Sequence, residues 1–145
     1  IEETNVQSRV FEYRTTHGEG IDRLLAVCLT DTNRDGLSMV YSFYNPTYQS
    51  LSLGKFMILD HIFLAKQLKL DYLYLGYWIR KNNKMGYKAD YKPAEVYHKD
   101  KWVRLSKENL GSLNTNRGPN LPSIKKSSPE IESIIQLPRF STDQN

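Results

Sequence analysis

Apolar positions change their period several times along this chain, and each change marks an element. Val10 to Arg14 reads as a short strand, closed by the turn His17-Gly18-Glu19-Gly20. Arg23 to Thr30, RLLAVCLT, is a continuous apolar run suited to a strand covered on both faces. Asp31 to Gly36 is a turn cluster, and its Asp35-Gly36 pair is a strong hairpin signal. Leu37 to Tyr44, LSMVYSFY, alternates as an antiparallel return strand, and Asn45-Pro46 ends it. The period then becomes helical from about Leu53 to Leu68, with Ser50 or Ser52 as N-cap. Met57, Ile58, Ile62, Leu64, Ala65 and Leu68 form one wide apolar arc, and Phe56 and Phe63 add apolar surface on another side. Such a helix is expected to be covered on more than one side.

Asp71 to Ile79 reads as the next strand, so strand, helix and strand form a right-handed crossover unit of α/β layers. Alternation puts Tyr72, Tyr74, Gly76 and Trp78 on one face and Leu73, Leu75 and Tyr77 on the other, unless the strand bulges near Gly76. Lys92 to His98 reads as a last strand, with Pro93 at its edge or start. Beyond Trp102 the composition changes. Gly111 to Pro129 is rich in Asn, Ser, Pro and Gly and reads as disordered, and Glu130 to Gln136 as one or two helical turns. The expected division is a domain over 1–102, incomplete at its N-terminus, and a disordered or lineage-specific tail over 103–145. The chain begins at Ile1, which reads as a fragment or processed product with part of its domain upstream.

The chain has 145 residues, one domain's worth. No run is long enough to span a membrane and none has a signal-peptide layout, so the cytoplasm is the expected location and no membrane partner is expected. The lone Cys28 excludes an internal disulfide and a Cys-rich metal site; in an apolar strand it reads as a small buried hydrophobe, and no metal site is expected. The net charge of +4 is compatible with nucleic acid without pointing to it. Ten tyrosines and two tryptophans suit either strand surfaces or stacking on splayed bases.

The chemistry concentrates between Ser52 and Lys88. Ser52-Leu53-Gly54-Lys55 opens the helix, where unpaired amides and the positive dipole end suit an anion. The Tyr74-Leu75-Gly76-Tyr77-Trp78 strand brings tyrosines, and Lys84-Met85-Gly86-Tyr87-Lys88 is compact, aromatic and cationic. These parts suit a protein that holds a phosphate-bearing donor and moves a group onto an acceptor.

In order and spacing these residues resemble the C-terminal half of the aminoacyl-tRNA–protein transferases, most of all the bacterial aspartate/glutamate leucyltransferase type related to eukaryotic arginyltransferases. The resemblance runs from about Val10 to Trp102. It is carried by Leu25-Ala26-Val27-Cys28-Leu29-Thr30-Asp31, by Asp35-Gly36-Leu37-Ser38-Met39-Val40-Tyr41-Ser42-Phe43-Tyr44, by the Ser-Leu-Gly helix start, by Tyr74 to Trp78, and by the Lys84-Met85 and Tyr87-Lys88 pairs. It implies an α/β (α+β) fold of the GNAT-like acyltransferase type, a mixed sheet packed by a central helix. It also implies transfer of leucine, or arginine as the runner-up, from charged tRNA to proteins beginning with Asp or Glu, in the N-end rule degradation pathway. The expected partners are therefore Leu-tRNA or Arg-tRNA and such proteins, with aminoacyl-tRNA as co-substrate and no cofactor. An N-terminal cysteine-bearing domain of that family has no counterpart in this chain.

Under that reading Asp31, Tyr77 and His61 are the candidate catalytic residues. Asp31 orients the incoming α-ammonium or takes its proton, against a bland role as a turn cap. Tyr77, ranked above Tyr74, donates to the leaving oxygen. His61 is an anchor beneath the site or a proton shuttle, against a role as a satisfied core histidine. Tyr41, Ser52, Gly54, Lys84, Tyr87 and Lys88 are the candidate substrate- and tRNA-binding residues. Lys84–Lys88 and Lys84–Tyr87 share a face if their segment is helical, against a solvated basic loop. Arg34 and Arg80 rank second. The competing readings are an acetyl-CoA-dependent N-acetyltransferase, disfavoured because Gly54 stands alone where a glycine-dense pyrophosphate loop is usual, and a non-catalytic binder of RNA or acidic N-termini.

Overall fold

A computed structural model describes residues 6–17, 21–79, 82, 84–109 and 133–138, the last stretch through its backbone. The chain divides into two compact units, residues 1–73 and 74–145. Strands and helix together make a mixed α+β protein.

In the first unit, strand β1 (Gln7–Arg14), strand β2 (Leu24–Thr32) and strand β3 (Gly36–Tyr44) form an antiparallel meander with β2 in the middle. The hairpin signal falls where the sequence places it: the Asn33 amide donates to Gly36 O at 2.8 Å, closing the turn between β2 and β3. The register steps from Leu29 opposite Tyr41 to Thr30 opposite Met39, which leaves Val40 as the extra residue of a bulge. Helix α1 (Leu53–Gln67) covers one sheet face. Ala26, Cys28 and Thr30 of β2, Leu37 and Met39 of β3, and Leu53, Met57, Ile58, His61 and Ala65 of α1 are all buried. Burial of these apolar groups is the main stabilising term, at about 25 cal/mol per Å² removed from water.

Two expectations change here. The apolar run of β2 is enclosed on the helix face only; Leu25, Val27 and Leu29, on the other face, stay partly exposed. One helix covers one face of a three-stranded sheet, so a continuous apolar run does not by itself guarantee burial on both sides. The helix arc is also narrower than its apolar residues, since Leu68 is exposed and so is the stripe Phe56, Leu59 and Phe63. The helix ends as Lys69 takes a left-handed φ of 56° and the Leu70 amide reaches Ala65 O at 2.9 Å. The Asp71 and Tyr72 amides then both donate to Asp35 O, at 3.0 and 3.1 Å. Strand β4 (Tyr72–Trp78) thus begins beside the start of β3.

β4 continues into the second unit. There β5 (Glu95–His98) lies between β6 (Lys101–Arg104) and β7 (Ser133–Pro138), antiparallel to both. Lys99 and Asp100, at φ 48° and 61°, make the two-residue turn between β5 and β6, the arrangement that matches strand twist. Leu75, Trp78, Ala94, Val96 and Leu105 are its buried apolar residues. β5 is not the last strand, and it starts two residues past Pro93. Residues 133–136 are extended rather than helical: two consecutive β-branched isoleucines favour a strand, and β5 offers an edge for it. The Gly111 to Pro129 stretch lies outside the described residues.

Candidate functional site

The start of α1 is built by a tight approach. Asn45 Oδ1 accepts from the Thr47 amide at 3.0 Å and opens a short 3-10 helix, Pro46–Leu51. Ser52 then turns left-handed, at φ 52° and ψ 40°. It occupies the expected N-cap position, but its side chain caps no amide. An N-cap hydroxyl reaches the first turn from extended backbone, and Ser52 is not extended. Its carbonyl instead accepts from the Lys55 and Phe56 amides, at 2.9 and 3.1 Å. The amides of Leu53 and Gly54 precede the first intrahelical bond, the first turn holds no acidic residue, and Lys55 is exposed there.

β2 separates two of the candidate catalytic residues. Asp31 lies on the face away from α1, half-buried, and its Oδ1 accepts from Ser8 Oγ of β1. It sits one residue inside the end of β2, opposite Ser38, so it is a sheet residue and not a turn cap. The next row on that face runs Val10, Leu29 and Tyr41, and the one after it Glu12, Val27 and Phe43. Val10, Tyr41 and Phe43 are 61%, 65% and 52% exposed, and the rings of Tyr41 and Phe43 lie 6.0 Å apart. The first unit therefore presents a carboxylate at the end of an open aliphatic and aromatic surface.

His61 faces the opposite way and is 0% exposed. Its Nδ1 is 2.8 Å from Met57 O, an acceptor only, so Nδ1 carries the proton. Nε2 is then an acceptor and takes the Thr30 hydroxyl proton at 2.8 Å. Thr30 Oγ1 is in turn 3.4 Å from Cys28 Sγ. Burial pushes the His61 pKa down and the Cys28 thiol up, so both are neutral. Phe11 packs edge-on against the imidazole at 4.9 Å, and the Tyr13 hydroxyl donates to Asp60 Oδ2 at 2.8 Å. Burial first, then the Asp60 bond, raise the Tyr13 phenol well above its ordinary value. With both nitrogens used and no exposed surface, His61 ties α1 to β2 and has no solvent access for a shuttle role in this chain.

In the second unit β4 loses its alternation at Gly76. Leu73 and Leu75 are buried, Gly76 takes φ 70°, and then Tyr77 is exposed while Trp78 is 3% exposed. Tyr77 therefore leaves the face that strict alternation assigned to it, together with Leu73 and Leu75. Lys88 Nζ donates to Leu75 O at 2.7 Å and Tyr77 O at 2.9 Å, the two carbonyls that bracket Gly76. Each such charged bond is worth about 1.5–3 kcal/mol. Burial lowers the Lys88 pKa, so two neutral carbonyls do not fully replace the lost water. The slip has its own cost: among the described residues the buried Trp78 Nε1 has no acceptor, a loss of about 1–3 kcal/mol.

The basic segment departs from the expected α-helical spacing. Met85 and Gly86 amides bond back to Asn82 O, and a 3-10 helix follows over Gly86–Asp90. Lys84 precedes that helix and is exposed, while Lys88 turns inward, so the two lysines do not share a face. Tyr87 is half-buried, and Tyr91 is pushed up to about 12 by burial, then by Tyr87 and Asp90. Tyr74 joins Trp102 and Tyr97 in a cluster of rings 5.4–6.0 Å apart. Arg34 is exposed; Arg80 lies outside the described residues.

Sequence reasoning passed over Thr30, Tyr13 and Phe43. Phe43 was legible, two residues from Tyr41 on one face of an alternating strand. Thr30 shares the parity of Ala26 and Cys28, but its bond to a helix residue 31 positions away leaves no local signal.

The sequence that builds this meander, its helix and the cationic 3-10 segment matches that of a known class of group-transfer proteins. Over residues 1–98 the chain matches the family described as "Arginine-tRNA-protein transferase, C terminus", and it belongs to that family. It is 50% identical over 111 residues to the aspartate/glutamate leucyltransferase of Methylorubrum extorquens, covering 72% of this chain and 45% of that protein. With the protein of the same name from Cereibacter sphaeroides it shares 52% identity over 103 residues, 70% of this chain and 37% of the relative. The one from Dinoroseobacter shibae is 46% identical over 121 residues, 79% and 42%. The chain spans less than half the length of these relatives.

Proposed function

We propose that this chain is the C-terminal acyl-transfer part of an aminoacyl-tRNA–protein transferase, moving leucine from Leu-tRNA to the α-amine of proteins that begin with Asp or Glu. The observation that carries the reading is its roughly half identity to proteins named aspartate/glutamate leucyltransferase over about 70% of the chain, together with a family match over residues 1–98 that holds Asp31, Tyr41, Ser52 to Gly54, Tyr77 and Lys84 to Lys88. Leucine is preferred to arginine as donor because the leucyltransferases supply the similarity, while the broader family description names arginine. A GNAT-like arrangement of sheet and helix, action in the N-end rule pathway and a cytoplasmic location belong to this proposal. No helix among the described residues is long and apolar enough to cross a membrane.

The reaction is aminolysis of an ester that is already activated. The acceptor nitrogen attacks the aminoacyl carbonyl carbon, a C–N bond forms, the C–O bond to the ribose breaks, and the amine proton leaves while the ribose oxygen gains one. Holding the partners together supplies up to about 7–11 kcal/mol of the barrier. A free α-amine titrates near 7.7–8.0, so a nearby carboxylate suffices to orient it and take its proton near neutral pH. Asp31 is suited to that role, beside a surface of Val10, Tyr41 and Phe43 suited to an aliphatic side chain. In the first unit the Leu53 and Gly54 amides suit an anionic group of the tRNA, and in the second unit, taken by itself, so does the exposed Lys84. The exposed Tyr77 hydroxyl suits the leaving oxygen. His61 holds the sheet and helix in register beneath this surface.

The test is transfer of labelled leucine from charged tRNA to a peptide beginning with Asp or Glu, by the protein at its native length. Leucine transfer with little arginine transfer is expected. Arginine alone transferred would reassign the donor, and neither transferred by folded protein would remove the reading.

A further inference from the structure

We infer that Lys88 is a positioning residue: its ammonium props open the break in β4 at Gly76 and so fixes where Tyr77 and Trp78 point, rather than gripping an anionic ligand. This goes beyond the transferase reading, and rests on it only where turnover is measured.

A regular strand offers the carbonyls of alternate residues to a neighbouring strand. At Leu75 and Tyr77 both carbonyls meet one ammonium, at 2.7 and 2.9 Å. An ammonium donates three bonds and accepts none, so two of its three donors are committed to the backbone. Among the described residues no carboxylate forms an ion pair with it, and burial alone accounts for its lowered proton affinity. Between the two carbonyls Gly76 takes φ 70°, a conformation that disfavours any residue with a Cβ. Beyond it the burial order reverses, with Tyr77 out and Trp78 in. Among the described residues the indole N–H of Trp78 has no acceptor there, so this orientation is held by something other than Trp78's own bonding. The Lys88 bonds bracket the reversal and are placed to hold it.

The test uses the protein at its native length and three variants. Lys88→Met keeps the stem and removes the donors, Lys88→Arg keeps the charge and a two-pronged donor, and Gly76→Ala attacks the same break without touching the charge. Amide exchange over 75–78 is expected to quicken about tenfold in Lys88→Met and Gly76→Ala, with far-ultraviolet circular dichroism unchanged, and to be largely restored in Lys88→Arg. Trp78 emission should shift in the same two variants. In the transfer assay both should lower kcat and leave the KM for charged tRNA within about twofold. A raised KM for tRNA or for the acidic peptide, a shallower salt dependence and undisturbed exchange at 75–78 would make Lys88 a ligand residue and overturn the inference. If the unaltered protein transfers nothing, the functional proposal fails and the exchange and emission results still decide this one. If Lys88→Met fails to fold, Gly76→Ala with normal exchange and emission would overturn it equally.

Discussion

Asp31 and His61 stand on opposite faces of β2, and their environments assign them different work. Asp31 accepts one hydroxyl bond and borders an open surface, whereas His61 is enclosed and doubly bonded. Asp31→Asn should lower leucine transfer about 100-fold, the ordinary yield of a general base, with charged-tRNA binding within about twofold. Unchanged turnover would remove Asp31 from the chemistry. His61 should act on stability instead. Its pKa is lowered in the folded state from an unfolded value near 6.5, so folding favours the neutral ring. That contribution is complete above about pH 6.5 and is lost as pH falls through the unfolded value towards the folded one. Urea midpoints at about pH 7.5 and about pH 5 should therefore differ more for the unaltered protein than for His61→Gln. His61→Gln should itself lose about 1–3 kcal/mol at neutral pH, chiefly through the buried Thr30 hydroxyl that loses its imidazole partner. Equal declines in the two proteins would show that another group carries the acid sensitivity.

At the scale of the element, α1 shows what a helical period does and does not specify. Its position and length were legible, because Met57, Ile58 and Ala65 recur at helical spacing after a Ser-containing break. Which apolar residues would be enclosed was not, because Phe56, Leu59 and Phe63 are as apolar as those that are buried. The difference should be measurable. Met57→Ala, in a site 1% exposed, should cost about 2–5 kcal/mol, whereas Phe63→Ser at the surface should change stability by about 0.5 kcal/mol or less. Comparable losses by denaturant titration would mean that the Phe63 side of the helix is covered in solution. β4 teaches the converse lesson. Gly76 is where its side-chain alternation is free to break, and it breaks there, through a left-handed glycine.

The whole molecule carries a formal charge of +4, too small to define a nucleic-acid surface by itself. Its charges are not equivalent, since Lys84 is exposed and Lys88 is committed to two backbone carbonyls. Charged-tRNA affinity of the native-length protein should fall linearly on a log–log scale with salt. Lys84→Ala should reduce that slope by about 1 and weaken binding of different tRNAs alike. An unchanged slope would take Lys84 off the phosphate backbone. The turnover change in Lys88→Met should leave the slope where it is.

By itself the sequence determined the three strands of the meander, the Asp35-Gly36 hairpin, the long helix α1 and the resemblance that leads to the transferase family. These follow from short-range rules: period, turn chemistry and the order of motifs. Only the tertiary structure decided which way each candidate faces. Asp31 and Tyr41 share a surface because β2 and β3 pair in one register around the Val40 bulge, and His61 of α1 is sealed where Thr30 of β2 comes to it. Lys88 is turned inward by carbonyls 13 and 11 residues earlier in the chain. Such pairings join residues far apart in sequence, and local propensity contains no term for them.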